Sequence, residues 1–368
     1  MNELLPLLLE PNNFAPEERT PWGGNKLVRG TKAGLARGSA AAAGAGSVGE
    51  AWELSLGPEL PSRLLEGGAP LANAIRTSPL EWLGAEARLG RAGTALMVKL
   101  IDTREPLSLQ VHPPDSYEGL GPDESGKEEC WYVLDCRPGS GVMLGFRPGV
   151  TRARVARCLA AGRDPSHMLQ FVHVAPGDFL MVAPGTPHAI GEGLTLAEVQ
   201  HVLPGHRGVT YRYWDWGRRY DEDGKPSTGG ESRTLHVESS LAVTAWDTHV
   251  NPERARARMG RVNRHAQPAI QWLCGTGTAR VASTRLRVGI VAGHGSLPLP
   301  AANVLRALTV FDGRIELLSR PRCSVPCGYT AVLPASLGPL TARLHGAHAM
   351  LSAVLIPHPD RSELPAKA

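Results

Sequence analysis

The chain has 368 residues, 42% apolar and 20% charged, which is enough for two or three ordinary domains with real cores and too apolar for a disordered chain. A net charge of +4 with no block of Lys or Arg argues against a nucleic-acid binder, so the basic side chains read as local tools, phosphate ligands among them. No apolar run reaches the roughly 18 residues that span a bilayer, and MNELLPLLLEPNN lacks the positive start and cleavage site of a signal peptide, which points to a soluble, cytoplasmic protein.

In chain order, the Leu-rich start fits an opening strand, and Trp22-Gly23-Gly24 fits a turn with an aromatic anchor. The Ala/Gly/Ser-rich stretch 33–48 reads as a flexible loop, because its glycines work against a poly-Ala helix. GEAWELSL (49–56) alternates in strand fashion, 62–90 reads as short helices broken by Gly and Pro, and TALMVKLIDT (94–103) as a buried strand. LSLQVH (107–112) is a further strand that ends at Pro113-Pro114, and a Gly/Pro/Asp-rich loop leads to a returning strand from near Lys127. Residues 150–162 suit an amphipathic helix with Gly162 near its C-cap, and 168–200 a series of short strands. TYRYWDW (210–216) is an aromatic-rich strand, most of it core, and 218–230 a polar loop. The last third, from about 240 to 358, is again strand-like, with turns at short intervals. PGDFLMVAPGTPHAI (176–190) and CGYTAVLPASLGPLT (327–341) share an outline, but nothing in the second matches His188, which suggests two related β-barrels with one site. The six cysteines form no paired framework and read as reduced structural thiols.

The chemistry gathers around 107–132. On strands, Gln110 and His112 share one face, as do Lys127 and Glu129. These two strands supply two or three metal ligands and a cation, although a surface hairpin with scattered charges reads the same way. His188, after the sharp Ala183-Pro184-Gly185 turn, adds a further nitrogen. Gln110, His112, Glu129 and His188 together suit zinc, and also manganese, iron, cobalt or nickel. Glu198 beside a metal can move protons, and Arg212 can clamp a phosphate or an oxyanion; each is otherwise an ordinary ion-pair residue. No P-loop and no Ser nucleophile elbow is present.

The order of PWGG (21–24), GEAWELS (49–55), LSLQVHP (107–113), GKEECWYVLD (126–135), PGTPHAIGEG (184–193) and TYRYWDWGR (210–218) resembles class I mannose-6-phosphate isomerase, a zinc-dependent cupin family. The resemblance covers about the first 240 residues. It implies a mainly β protein of two cupin-type, jelly-roll β-barrels with a small helical portion. The domains would be a catalytic one over 1–239, a metal-free one over 240–358, and a loose tail over 359–368. It also implies that Gln110, His112, Glu129 and His188 bind Zn2+ or another divalent metal, and that Lys127, Glu198 and Arg212 line the same pocket. The reaction expected is interconversion of mannose 6-phosphate and fructose 6-phosphate through an enediol. Glu198 would shuttle the proton, Arg212 and Lys127 would balance charge on the substrate, and Arg218 is a further phosphate candidate. The substrate is a small sugar phosphate, with no membrane and no obligatory protein partner. A non-catalytic sugar-binding cupin is the alternative, and a cupin oxygenase a second one that Gln110 disfavours.

Overall fold

The computed structural model describes residues 4–35, 47–222 and 225–356. Most of the loop expected over 33–48, and all of the tail expected over 359–368, lie outside the described residues. The expected mainly β architecture is what the chain adopts, and two facing sheets carry the candidate site.

The first is six-stranded and antiparallel throughout, in the order Arg256–Arg258, Asp178–Val182, Glu128–Cys136, Leu194–His201, Leu96–Asp102, Glu50–Leu54. The second is five-stranded, in the order Tyr211–Trp214, Leu109–Val111, His188–Ile190, Gly141–Phe146, Leu169–His173. Side chains alternate across a pleated strand, so each strand of the first sheet has two distinct faces. From Glu128–Cys136, Trp131 and Val133 point between the sheets, where they meet Val142, Leu144 and Ile190 of the second. Cys130 and Tyr132 point the other way, into a core shared with Leu273, Val288 and Met350. Both faces of the first sheet are therefore covered, which explains why Leu96–Asp102 is buried along its whole length.

A third, eight-stranded sheet is built on the long strands Leu286–Leu299, Arg306–Leu317 and Leu340–Val354. Its own apolar core holds Val291, Leu308, Val310, Ile315 and Leu344. Register shifts at Gly293/Gly295 and Val310/Asp312 bend the long strands around that core, as bulges do. Two short strands cross the boundary expected at 239/240. Leu7–Leu8 pairs with Thr330–Leu333 in the eight-stranded sheet, and Arg256–Arg258 edges the six-stranded one.

The helices Leu71–Thr77, Pro79–Leu83 and Ala85–Arg88 occur where broken helices are expected, and they bury Leu71, Ile75, Trp82 and Leu83 against the shared core. Arg152–Ala160 is the expected amphipathic helix, and Thr151 caps it by accepting a hydrogen bond from the Arg154 N–H. Val237–Val243 is a helix at the start of the stretch read as strand-like. Its Leu241 and Val243 pack on Tyr213 and Leu109, so tertiary packing overrides the local β-like composition.

Candidate active site

The site is assembled from rows of side chains that strand register places opposite one another. Across the five-stranded sheet, Gln110 stands between His188 on one neighbouring strand and Arg212 on the other. Across the six-stranded sheet, Gln200 lies between Met97 and Glu129, and Glu198 between Lys99 and Trp131. These rows face each other in the gap between the sheets. His112 is the first residue beyond the strand Leu109–Val111, at the mouth of the same gap.

At the centre, His112, Glu129 and His188 are almost wholly buried and their ligand atoms lie within 4.8 Å of one another. Glu129 Oε2 is 3.3 Å from His112 Nε2, and Glu129 Oε1 is 3.2 Å from His188 Nε2. His112 Nδ1 lies 3.0 Å from the carbonyl of Val209, and His188 Nδ1 2.8 Å from that of Thr186. A ring nitrogen beside a carbonyl oxygen must carry the proton, so each imidazole donates Nδ1–H there. The two Nε2 atoms then face Glu129. His112 Nε2 and Glu129 Oε1 are buried without any hydrogen-bond partner. Burial first, and then the neighbouring Lys127 charge, pushes the His112 imidazole down to about 3, so it is neutral. Burial works to raise Glu129, but the charge of Lys127 leads the effects that oppose it, and the carboxyl is held well below the usual range. The Nε2 atoms of two imidazoles and a carboxylate converge on one buried point. Two imidazoles and a carboxylate at this spacing are a donor set that could hold a divalent cation. Gln110 completes the ring, with its Nε2 3.3 Å from His188 Nε2. Rotating that amide by half a turn would bring its carbonyl oxygen to the same place.

A cleft of about 330 Å³ opens above this centre, lined among others by Ser108, Gln110, Lys127, Glu198, Gln200 and Arg212. Lys127 Nζ is 3.3 Å from Glu129 Oε2. Glu198 is 4% exposed. Its Oε1 accepts from Trp131 Nε1 at 3.1 Å and its Oε2 from Gln200 Nε2 at 2.7 Å. Burial, and then the charge of Glu129, pushes Glu198 up to about 7. Arg212 reaches the carbonyl of Thr234 through Nη1 at 2.9 Å and keeps a buried Nε without a hydrogen-bond partner. Burial and the nearby Arg233 lower its pKa.

Lys127, Glu198 and Arg212 are thus brought together with the four candidate ligands. Arg218 is not. Its guanidinium is spent on Asp215 Oδ1 at 2.6 Å and the Pro106 carbonyl at 2.9 Å, and it does not line the cleft. Arg233 lines the cleft instead, gripping Asp215 through Nε and Nη2. Three other residues of the site escape a sequence reading. Gln200 links the carboxylates, donating to Glu129 Oε2 at 3.0 Å as well as to Glu198. Lys99 lies over the Trp52 ring, 4.2 Å from its centroid, and 3.3 Å from Glu50 Oε2. Trp131 is fully buried and supplies an N–H to Glu198. The signal for Gln200 was strand alternation, since it shares a face with Glu198 two residues earlier.

No family model matches the chain. Among curated proteins it is 33% identical over 242 residues to a probable mannose-6-phosphate isomerase of Bacillus subtilis, covering 65% of this chain and 68% of that one. It is 32% identical over 227 residues to the mannose-6-phosphate isomerase of Streptococcus mutans, where the match covers 60% of this chain and spans 63% of the relative's length. Among solved structures, a mannose 6-phosphate isomerase from Bacillus subtilis superposes with a TM-score of 0.73 at 23% identity, over 95% of this chain and all of that one. A zinc-bound mannose 6-phosphate isomerase gives 0.59 at 13% identity, over 91% and 97%. These structures share the fold, and the sequence match adds descent: the chain belongs to the mannose-6-phosphate isomerase family.

Proposed function

We propose that this chain interconverts mannose 6-phosphate and fructose 6-phosphate through an enediol, with a divalent cation held by Gln110, His112, Glu129 and His188. One observation carries the reading. The Nε2 atoms of His112 and His188 and the Glu129 carboxylate converge in a buried centre beside a carboxyl that burial pushes up to about 7. Zinc is the first choice of metal, because two imidazoles and a carboxylate suit it and a fold neighbour is a zinc-bound isomerase. When bound, the cation supplies positive charge where negative charge develops on the sugar oxygens.

The chain's own residues supply the rest. Glu198 takes the proton from C2 of the open-chain aldose and returns it at C1, while a hydroxyl proton passes between the two oxygens. No oxidant or reductant is consumed. A carboxyl near 7 is suited to both halves of that transfer. Trp131 and Gln200 fix the Glu198 oxygens, so its remaining lone pairs are aimed rather than free to swing. Lys127 and Arg212 line the cleft and balance the enediolate and the phosphate dianion. With Arg218 committed to Asp215, the phosphate role falls to Arg212. The facing-sheet architecture supports the cupin reading, and a small sugar phosphate in the cytoplasm is the partner, with no nucleic acid, membrane or obligatory protein. The test is interconversion of the two sugar phosphates by purified, metal-analysed protein without oxygen. Turnover supports the proposal. Silence with zinc, manganese and cobalt each supplied overturns it, and binding without turnover would favour a sugar-binding role.

A further inference from the structure

The loop 113–126 joins the two strands that carry His112 and Glu129, and its ends are drawn together. Lys127 N–H donates to the Pro113 carbonyl at 3.1 Å. At Gly126 a Cβ would lie 2.4 Å from Asp115 N and 2.5 Å from the Pro114 carbonyl carbon, so the closure needs glycine. Asp115 stands at this closure, where its Oδ1 accepts from Ser125 Oγ at 3.1 Å. The Ser125 carbonyl accepts from Val209 N–H at 2.9 Å, and Val209 gives its own carbonyl to His112 Nδ1.

The other side of Asp115 is held from outside this sandwich. Arg285, just before the strand Leu286–Leu299 of the eight-stranded sheet, forms a charge-assisted hydrogen bond through Nη1 to Asp115 Oδ2. The same Nη1 lies 3.5 Å from Nδ1 of His201, the last residue of the strand that bears Glu198 and Gln200. Two residues earlier, Ser283 Oγ donates to Glu128 Oε1 at 3.0 Å while accepting from the N–H groups of Arg285 and Leu286. The Arg285 backbone is itself anchored, since its carbonyl accepts from Leu355 N–H at 2.7 Å.

We infer that Arg285, with Ser283, is a positioning residue by which the eight-stranded sheet sets the geometry of the candidate metal centre. Arg285 fixes the residue three places after His112. Ser283 fixes the residue between Lys127 and Glu129. Neither touches the cleft, so both act through others. The sheet without metal ligands is then part of the working site rather than an appendage. The inference rests on the metal-site reading, and its consequence for turnover rests on the isomerase reading.

The experiment uses the full chain and the variants Arg285→Ala, Arg285→Lys and Asp115→Ala, the double variant Asp115→Ala/Arg285→Ala, and Arg287→Ala as control. Arg287 stacks on Trp272 of a neighbouring strand, away from the loop. Zinc affinity is read by competition with a chromophoric chelator, alongside kcat, KM and melting temperature. Losing a direct outer partner of a metal ligand typically costs 10–100-fold, and Arg285 acts one contact further out, so Arg285→Ala is expected at the low end, weakening zinc binding and lowering kcat by about tenfold each. KM should stay within about twofold, Arg285→Lys should recover most of the loss, and Arg287→Ala should match wild type. The double variant should be no worse than either single one, because both remove the same contact. The inference is overturned if Arg285→Ala keeps zinc affinity and kcat within about twofold of wild type, or if the double variant's losses simply add. Should Arg285→Ala fail to fold, Ser283→Ala carries the same prediction through Glu128. If wild type binds zinc but turns over neither sugar phosphate, the isomerase reading fails alone and the zinc-affinity arm still decides this one.

Discussion

Replacing Glu198 with Gln should make the metal-free protein more stable and less active at the same time. The carboxyl is buried beside the Glu129 charge, and its pKa is about 7 against an ordinary 4.5. A group whose folded pKa is raised holds its proton more tightly in the folded state. Its contribution is therefore fully present below the unfolded pKa and is lost as pH rises to and through the folded one. At about 1.4 kcal/mol per pKa unit, the gap corresponds to roughly 3 kcal/mol of lost stability above about pH 7. Gln carries no charge and escapes that loss. It does forfeit one contact. Trp131 Nε1 can still donate to the amide oxygen, but Gln200 Nε2 then meets an amide NH2 and cannot turn over without abandoning Glu129. One hydrogen bond is worth about 1 kcal/mol. The net expectation is that Glu198→Gln, stripped of metal by chelator, is about 2 kcal/mol more stable than wild type near pH 8. It should show no such advantage near pH 4.5, where the Glu198 carboxyl keeps its proton in the folded state. Urea denaturation at the two pH values measures this directly. A variant less stable than wild type near pH 8, or a difference that does not change with pH, would refute the burial argument. Loss of isomerase turnover in the same variant tests the catalytic assignment separately.

His112→Ala removes one of the three buried donors, and metal content and turnover should fall together by more than the roughly 10–100-fold of an outer-partner loss. Turnover that survives with the metal gone would take His112 out of the site. Gly185→Ala should cost about 1–2 kcal/mol, because Gly185 has φ +81 and an L side chain there is strained. An added Cβ would also press on Ala245 Cβ and the Val243 carbonyl, each 3.1 Å away. Since Gly185 N–H donates to the His112 carbonyl at 2.8 Å, the melting temperature should fall by about 1–3 °C and zinc affinity with it. Unchanged zinc affinity would show that the turn does not position the ligand.

Much of this site was legible because it is written in strand alternation. Gln110 and His112, or Lys127 and Glu129, are two apart and must share a face once the segment is extended. The same rule reached Glu198 but stopped short of Gln200, because a lone Gln gives no chemical cue until its amide is seen between two carboxylates. Lys99 was hidden in an apolar run whose neighbours on both sides are buried. The choice between Arg218 and Arg233 was beyond sequence altogether. Both are arginines in one polar loop region, and Asp215 binds both, so only the path of the chain decides which one faces the cleft. The helix Val237–Val243 was missed because its apolar residues answer to Tyr213 and Leu109, distant partners that local pattern cannot name. Sheet order is illegible for the same reason, since pairing depends on contacts far apart along the chain.

The pairing of Leu7–Leu8 with Thr330–Leu333 has a bearing on how the chain is made. Leu7–Leu8 is synthesised far earlier than its partner strand Thr330–Leu333. Lys32 repeats the pattern, being buried against Glu53 at 2.6 Å and also hydrogen-bonded to the Gly328 carbonyl. During translation the first sandwich can condense while Leu7–Leu8 waits with an apolar edge unpaired and Lys32, held by Glu53, still lacks its carbonyl partner. Chain closure by the late strand is then the event that seals both, and a slow ribosome or a premature stop would leave that seam open to chaperones and to other copies of the chain.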